Sequence, residues 1–481
     1  MKLKILFLLF IISFKLSAQQ TWNLKSCVEY ALAHNIAVNQ SEIQSKNAAL
    51  NFSQSKSSLY PTLSFGGSGA FNSGNNQDPT TFTRVTENYL SSGMQLQSST
   101  DIFNFYSKRN SILANQWEFL ASQAYVNKIK SDIALATANA YLQALLAKEQ
   151  EKITIVQIEQ TQFQLNNTQK LVEAGSLPTL NATQLEAQLA SDSGNYISAK
   201  GNALQAVLAL KSLMNIDAAS AFEIETPPIE SIPVQPITDL LPEYVYSEAI
   251  KNQPQQLYNE YKIKAAVKNN QATKASMYPT IGAFASLSSN YLSFNKRAIY
   301  NKVFTGYQST GLVADAGGGV LYDVQSPVFA NGSVDKYIKP DKFFTQFKDN
   351  FRKSFGISVN VPILNGGIAK TNYERSLLNL QSLELQKQQD NQKLKQDIYQ
   401  AYTSALTSLQ RFNSSKKGVE ANQKTYDFAS KRFSIGALST FDLISTQNNL
   451  LRSKLEYSIN QFDFVFKMKV LEFYKGLGLI L

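Results

Sequence analysis

The sequence predicts a mainly α-helical protein with a membrane β-barrel portion, built as a tandem duplication of long coiled-coil α-hairpins that each follow a pair of strands. Three observations predict this class. First, a shift of 261 residues places Phe103-Asn104 on Leu364-Asn365 and continues without a gap over a long stretch, and the amino-terminal parts of the two halves match at a different offset. Second, two long helical patterns without proline occupy 104–173 and 365–434. Third, runs with strand-like alternation of apolar and polar residues precede both patterns.

The amino terminus has the layout of a secretory signal peptide. Lys2 and Lys4 precede an apolar run from Ile5 to Phe14, and small residues follow up to Ala18. An uncleaved membrane anchor is the alternative, but the apolar run is shorter than the roughly 18 to 20 residues that cross a bilayer. Residues 1–18 are therefore predicted to be a signal peptide, and the chain is predicted to be exported.

Charge and composition exclude some classes of partner. The formal net charge of +10 falls to +7 when the three lysines within 1–18 are removed (10 − 3). The remaining lysines are scattered rather than clustered, so no nucleic-acid partner is expected. Charged residues make up only 17% of the chain, and Gln, Asn and Ser take their place. Such a surface suits a long solvated structure or a water-filled interior.

The first repeat is predicted to cover 19–215. A helix over about 24–58 ends at Tyr60-Pro61, because a residue before proline is pushed out of the helical region. A strand pair follows at about 60–103, in which apolar residues alternate with small or polar ones. The remaining elements are a long helix at 104–173, a tip at 174–179 and a return helix at 180–214.

A proline-rich linker at 216–242 separates the repeats, and the second repeat covers 243–481. It begins with a helix over 243–276. Its strands are expected at about 278–291 and 353–364, on either side of an insertion at 292–350 that is expected to lie outside the cell. Gly317-Gly318-Gly319 within the insertion is expected to be a flexible loop. The insertion as a whole is a lid, a phage or surface contact, or simply a long loop. The second repeat ends with a long helix at 365–434, a tip at 435–440 and a return helix at 440–475.

The long helices are predicted to pack side by side. About 70 residues of helix span on the order of 100 Å, which exceeds the core of any compact domain. Apolar residues recur every seven positions, as Ile158, Leu165 and Val172 do in the first repeat. This spacing is typical of a coiled-coil seam.

The strands are predicted to be pooled between copies of the chain. Each strand run is about ten residues long, which is the length of a strand in an outer-membrane barrel. Four strands cannot close a barrel, because small barrels need about eight. A trimer would supply twelve. The alternative is a small soluble sheet at one end of the helices.

These residues resemble the TolC-like outer-membrane efflux proteins. The resemblance covers nearly the whole chain after residue 18 and rests on the duplication, on the Tyr-Pro-Thr junctions at Tyr60 and Tyr278, on VPILNGG at 361–367 and on two Gly-x-Leu turns. It implies a homotrimer in the bacterial outer membrane, in contact with outer-membrane lipid. In this family a shared twelve-stranded barrel continues into a helical periplasmic tunnel. A periplasmic adaptor joins the tunnel to an inner-membrane RND or ABC transporter.

The same resemblance implies that the tips dock the adaptor. The expected docking residues are Gly175, Ser176, Leu177 and Thr179 in the first tip and Gly436, Ala437, Leu438 and Thr440 in the second. Glycine reverses the chain between helices because it adopts a left-handed conformation cheaply. The alternative reading is that these glycines only end their helices. Thr179 and Thr440 are expected to cap the return helices.

The resemblance also implies a pore constriction after the second tip. The family has two aspartates three positions apart here, and this chain has Asp442 and Ser445. The first repeat has Asn181 and Gln184 at the matching positions. Three copies of Asp442 around a threefold axis would attract cations. The alternative is that Asp442 only complements the amino terminus of its helix.

Nothing in the sequence predicts catalysis. His34 is the only histidine and Cys27 the only cysteine, so triads and metal sites made from His and Cys are not expected, and no cofactor is expected. The favoured function is the exit duct of a tripartite efflux pump. The alternatives are the exit duct of a type I protein secretion system and an exported, non-conducting coiled-coil rod with a structural or adhesive role.

Overall fold

The structure is a computed structural model that describes residues 21–77, 84–225, 232–293, 297–315 and 317–476. The predicted signal peptide at 1–18 lies outside the described residues. The chain folds into two compact units. A helical unit comprises 1–54, 110–271 and 372–481, and a strand unit comprises 55–109 and 272–371.

The described chain contains nine α-helices, two of which are very long. These two have 67 residues each, so each spans on the order of 100 Å. The helices are α1 (Leu24–His34), α2 (Ile36–Ser57), α3 (Ser107–Glu173), α4 (Thr179–Leu213), α5 (Pro242–Asn252), α6 (Pro254–Ala275), α7 (Phe343–Asp349), α8 (Ile368–Ser434) and α9 (Thr440–Lys475).

The first helix of each repeat is broken, where the sequence pattern predicted one continuous helix. Asn35 separates α1 from α2, and its side-chain amide donates to the carbonyl oxygen of Leu213 at 2.8 Å. Gln253 separates α5 from α6, and its amide donates to the carbonyl oxygens of Phe473 and Tyr474, both at 3.2 Å. Both residues adopt extended backbone angles. The breaks therefore tie each first helix to the end of its return helix.

The helical unit contains two hydrophobic clusters, each built mainly from one repeat. The first surrounds Cys27, Tyr141 and Leu210, which are all fully buried, and the second surrounds Val245, Ile398 and Leu471. Burial raises the pKa of the Cys27 thiol to about 12. The thiol is therefore protonated at neutral pH.

The proline-rich segment between the repeats packs against the helices. Its strand β4 (Glu223–Ile224) pairs in parallel with β1 (Thr21–Trp22). The buried Lys469 donates to the carbonyl oxygen of Pro233 and forms an ion pair with Glu472 at 2.8 Å. A buried ammonium group needs such partners, so these contacts hold Pro233 against the helix that contains Lys469.

The strand unit contains a four-stranded antiparallel sheet with the order β2-β3-β5-β8. Its strands are β2 (Thr62–Gln77), β3 (Arg84–Phe103), β5 (Thr280–Ser293) and β8 (Arg352–Asn360). The first three have 16, 20 and 14 residues, so the prediction of about ten residues a strand was too short. Alternation weakens where glycine and serine replace apolar residues, and the sequence pattern therefore hides the full length.

The register gives the sheet one apolar and one polar face. Phe65 pairs with Leu96, and Leu96 pairs with Leu287. Directly paired residues point to the same side of a sheet, so these apolar side chains share a face. Gly66, Gln95 and Ser288 form the neighbouring row, which lies on the opposite face. The prediction of a two-sided sheet is confirmed.

The insertion at 292–350 is not a loop. Strands β6 (Arg297–Asp315) and β7 (Leu321–Ile338) form an antiparallel hairpin, and α7 follows. Gly317, Gly318 and Gly319 lie in the connection between the two strands, and all three have positive φ. The register of the hairpin shifts at four places. These irregularities interrupt the alternation of apolar and polar residues, so the hairpin has no clear strand pattern in the sequence.

The junction between β3 and α3 has unusual backbone geometry. Phe105 has φ 48° and Tyr106 has φ 63°, which are left-handed values for two bulky residues. At the matching positions of the second repeat, Gly366 has φ 62° and Gly367 has φ 79°. The two repeats therefore use the same turn, but only the second uses the residue that adopts it cheaply.

Candidate functional site: the helical tips

The two tips have the same backbone hydrogen bonds. In the first tip, the N–H of Gly175 donates to the carbonyl oxygen of Val172, and the N–H of Ser176 donates to that of Leu171. In the second tip, the N–H of Gly436 donates to the carbonyl oxygen of Phe433, and the N–H of Ala437 donates to that of Arg432. These bonds span 2.8–2.9 Å. They form the Schellman arrangement that ends a helix at a left-handed residue.

The conformation of the two glycines confirms the predicted turns. Gly175 and Gly436 both have φ 72°. A Cβ atom added at either glycine would meet no other atom within 4 Å. The requirement for glycine is therefore conformational, and the space beside both turns is open.

The caps of the return helices differ from the prediction. Pro178 precedes α4 without a side-chain cap, and Ser439, rather than Thr440, caps α9. Thr179 and Thr440 are instead the first residues of their helices. The side chain of Thr440 is buried, and its hydroxyl oxygen has no partner within the described chain. A cap must precede the first helical residue, so the correct candidates lay one position earlier.

Asp442 takes part in this cap. Its backbone N–H donates to the Ser439 hydroxyl at 3.1 Å, and the same hydroxyl donates to the Asp442 carboxylate at 2.7 Å. Asp442 and Ser445 are both exposed. The carboxylate therefore complements the amino terminus of α9 and still faces solvent. Asn181 and Gln184, at the matching positions of α4, are half-buried.

Exposed apolar side chains, which no sequence motif marked, also lie at the tips. Leu180 is 62% exposed, Phe441 is 69% exposed and Ile435 is 77% exposed. Leu180 and Phe441 are equivalent under the shift of 261 residues, which is the signal that could have found them. Leu177 and Leu438 are half-buried in both tips. Apolar groups exposed beside two matching turns are typical of a protein contact surface.

Buried polar contacts join the two α-hairpins. The Asp192 carboxylate accepts hydrogen bonds from Thr161 at 2.6 Å and from Gln188 at 2.8 Å. Gln447 donates to the Thr161 hydroxyl, and Gln188 donates to Asn448. Residues of α3 and α4 thus contact α9 from the other repeat. The tips of one chain belong to two hairpins that are joined side by side.

No group of three or more His, Cys, Asp and Glu side chains in the described ranges could hold a metal ion. The longer helices in the described chain include none that is apolar enough to cross a membrane.

Comparison with known proteins decides the family. The model of the outer membrane efflux protein family matches residues 27–215 and 245–461, which is most of the chain and follows the two repeats. The chain belongs to the outer membrane efflux protein family. This membership locates the protein in the outer membrane and assigns it a role in efflux, so it functions in transport.

Curated relatives of this efflux protein are similar over most of their length. It is 21% identical to the probable outer membrane lipoprotein SilC of Salmonella typhimurium, over 88% of this chain and 79% of SilC. It is 20% identical to the outer membrane efflux protein BepC of Brucella suis, over 88% of this chain and 78% of BepC. These relatives share the outer-membrane location and, by its name, BepC shares the efflux role.

Solved structures share the fold. CusC, described in terms of transmembrane channel formation, superimposes with a TM-score of 0.73 at 17% identity and covers 96% of both chains. The CmeC outer membrane channel of Campylobacter jejuni superimposes with a TM-score of 0.71 at 17% identity, over 95% of this chain and 86% of CmeC. The predicted fold class is confirmed.

Proposed function

We propose that three copies of this efflux protein close a twelve-stranded barrel and form the exit duct of a tripartite efflux pump. The sheet carries the proposal. Strands β2 and β8 lie at its two edges in the described strand unit, and an open edge pairs readily with another strand. One face is apolar and suits lipid, whereas the other is polar and suits a water-filled interior. Three sheets joined edge to edge would pair the backbone groups of every edge strand and place each face in the environment that suits it.

The tips are the proposed docking sites for a periplasmic adaptor. Gly175, Ser176, Leu177 and Thr179 form the first, and Gly436, Ala437, Leu438 and Thr440 form the second. Two observations support this role: both turns repeat one backbone geometry, and each is flanked by exposed apolar side chains. An adaptor that recognises one tip can therefore recognise the other.

Asp442 and Ser445 are proposed to line the narrow entrance of the duct. Both are exposed near the second tip, and the cap with Ser439 fixes where the carboxylate lies. Three carboxylates around one axis would bind cations. Since Ser445 is uncharged, this ring carries one acidic residue from each chain.

An inner-membrane transporter of the RND or ABC class is proposed to deliver the cargo through the adaptor. A duct in a type I protein secretion system would need the same geometry, because the transporter selects the cargo. The name of BepC favours efflux for that relative, and we extend this role to the present chain.

Single-channel recording tests the duct. The full-length protein, purified in detergent as its native oligomer, is added to a planar bilayer. A trimer by light scattering and stepwise conductance are expected. A non-conducting coiled-coil rod would give no steps, and this result with an intact oligomer would overturn the proposal.

A further inference from the structure

Helix α7 is hydrogen-bonded to the carboxyl-terminal end of β5, beyond the last residue of β5 that pairs with β8. The ladder between β5 and β8 ends at Ser288 and Arg352. Beyond that point the Gln346 side chain takes over: its amide donates to the carbonyl oxygen of Leu292 at 2.9 Å and accepts from the Leu292 N–H at 3.0 Å. The side chain thus makes the two bonds that a paired strand residue would make.

Two further bonds fix the helix in this place. The Ser289 hydroxyl donates to the carbonyl oxygen of Phe347 at 2.6 Å, and the Asn350 amide donates to that of Asn290 at 2.8 Å. Ser289 is buried. A helix of only seven residues is unstable alone, so α7 owes its position to these contacts.

The helix lies beside an aromatic cluster on the apolar side of the sheet. Ser289 and Tyr291 follow Leu287 at intervals of two along β5, so they point to the apolar face. The rings of Tyr291 and Phe343 are 5.1 Å apart, and Phe343 contacts Phe344 and Phe347 at 5.4 and 5.8 Å. Phe344 is 82% exposed. Removing an exposed phenylalanine ring from water is favourable, so an apolar environment would stabilise α7.

A second aromatic cluster lies at the other end of the same face. Phe103 pairs in register with Ile281 and contacts the rings of Phe105 and Tyr106. Tyr291 is ten residues further along β5 than Ile281. Ten residues span about 34 Å of strand, or about 26 Å along the membrane normal at a tilt of about 40°. The apolar band of outer-membrane barrels is about 25 Å tall and has aromatic residues at both borders.

Basic residues surround the cluster at α7. The segment 339–353 contains five basic and two acidic residues (5 − 2 = +3). Lys342 precedes α7 and Lys348 lies in its last turn, and both side chains are exposed. Lys353 pairs with Leu287, which places it on the apolar face, and its ammonium lies 5.5 Å from the Phe351 ring centre. Arg352 pairs with Ser288, which places it on the polar face.

We infer that this rim segment, residues 339–353, binds the phosphate groups of anionic lipid at the membrane surface. Phe343, Phe344 and Phe347 enter the apolar boundary, while Lys342, Lys348 and Lys353 contact the phosphates above it. Long lysine side chains reach from apolar surroundings to a charged surface in this way. The inference rests on the proposed function in one respect, namely that the apolar face of the sheet meets lipid.

Lipid binding in detergent tests the inference without requiring a conducting channel. The full chain is titrated with phosphatidylglycerol, with zwitterionic phosphatidylcholine and with inorganic phosphate, and native mass spectrometry counts the bound lipids. We expect the wild type to prefer phosphatidylglycerol at least tenfold. The variant K342Q/K348Q/K353Q should lose most of that preference, because each lysine near an anionic surface contributes about fivefold.

A matched variant controls for net charge. K416Q/K417Q/K424Q removes three exposed lysines from α8 in the helical unit and should keep the wild-type preference. A further variant, Gln346→Ala, removes the bonds to Leu292 and should weaken the preference with all three lysines present. The oligomeric state of this variant is measured alongside, and an unchanged trimer shows that its sheet is intact.

Three results would overturn the inference. They are equal binding of the two lipids by the wild type, an unchanged preference in the rim variant, and displacement of phosphatidylglycerol by an equimolar amount of inorganic phosphate. The rim variant should conduct like the wild type in a neutral bilayer. Loss of lipid preference with normal conductance therefore separates this inference from the proposed function, which fails only if neither protein conducts.

Discussion

At the scale of one residue, Asp442 takes part in the cap of its own helix and, in the proposed trimer, in the ring of carboxylates at the entrance. Its carboxylate accepts from Ser439 within the cap of α9, and its exposure leaves it available to ions. The cap contributes about 1 kcal/mol or less to stability. A substitution here should therefore affect the duct more than the fold.

Asp442→Ala is expected to change the resting conductance and to reduce block by divalent cations, because it removes the charge of the proposed ring. Single-channel recording with and without millimolar Mg²⁺ measures both. Asn181→Ala at the matching position of the first repeat is the control and should change neither. Unchanged conductance and unchanged cation block in Asp442→Ala would contradict the ring.

A substitution at Gly367 would measure the free-energy cost of a left-handed backbone conformation without a steric clash of the side chain. Gly367 has φ 79°, and a Cβ atom there would meet nothing within 4 Å. Gly418 has equally open surroundings but lies inside the helix α8. The two glycines thus differ in the backbone region that they occupy, although neither would place a Cβ atom against a neighbour. Phe105 and Tyr106 bear the same left-handed cost in the first repeat, and contacts between rings 4.9 to 6.1 Å apart offset part of it.

Gly367→Ala is expected to destabilise the protein by about 1 kcal/mol, because alanine is strained at this φ. Gly418→Ala should stabilise it by about 0.5 to 1 kcal/mol, because alanine favours a helix interior. Thermal unfolding midpoints of the two variants, measured in the same detergent, should therefore shift in opposite directions. A shift in the same direction would show that the turn at Gly367 is not left-handed.

At the scale of elements, the hairpin of β6 and β7 is separate from the main sheet. Its two strands pair with each other and form their own two-stranded sheet. Many of its apolar side chains are exposed, including Phe304, Tyr307 and Phe329, whose rings contact one another. The four-stranded sheet does not depend on it for hydrogen bonds.

Replacing residues 298–337 with a short Gly-Ser linker is expected to leave the trimer and its conductance intact. A longer deletion, 298–350, also removes α7 and should abolish the preference for anionic lipid while the channel still forms. Light scattering and planar-bilayer recording measure the two properties. Loss of the trimer in the shorter deletion would show that the hairpin contributes to assembly.

Periodicity explains which elements could be predicted from the sequence. The long helices and the two-sided strands repeat a local pattern over many residues, so the sequence contains them directly. The breaks at Asn35 and Gln253 depend on hydrogen bonds to residues 178 and 220 positions away, which no local pattern contains. Only the proline after Gln253 marked one of these breaks. The tip turns were predictable because glycine has a conformational reason to be there, whereas the exposed apolar residues beside them were visible only in comparison between repeats.

At the scale of the whole molecule, the two repeats share one fold but differ in the side chains at some equivalent positions. Both repeats have a broken first helix, a strand pair, a long helix and a glycine tip. The acidic residue Asp442 occurs only in the second repeat, and the strained pair Phe105-Tyr106 occurs only in the first. In the proposed trimer, six tips thus present one docking geometry, while three carboxylates serve the entrance and three aromatic pairs lie at the junction of strand and helix.

The burial of Cys27 has a practical consequence for spectroscopy. Its thiol is inaccessible and protonated, and the thiolate is the form that reacts with maleimides and methanethiosulfonates. The natural chain therefore behaves as a cysteine-free background in the folded state. A cysteine introduced at Ala437 can receive a spin label or a fluorophore at one defined place in each copy. Distances between labels would then report on the width of the entrance during export, with no need to remove a residue from the core.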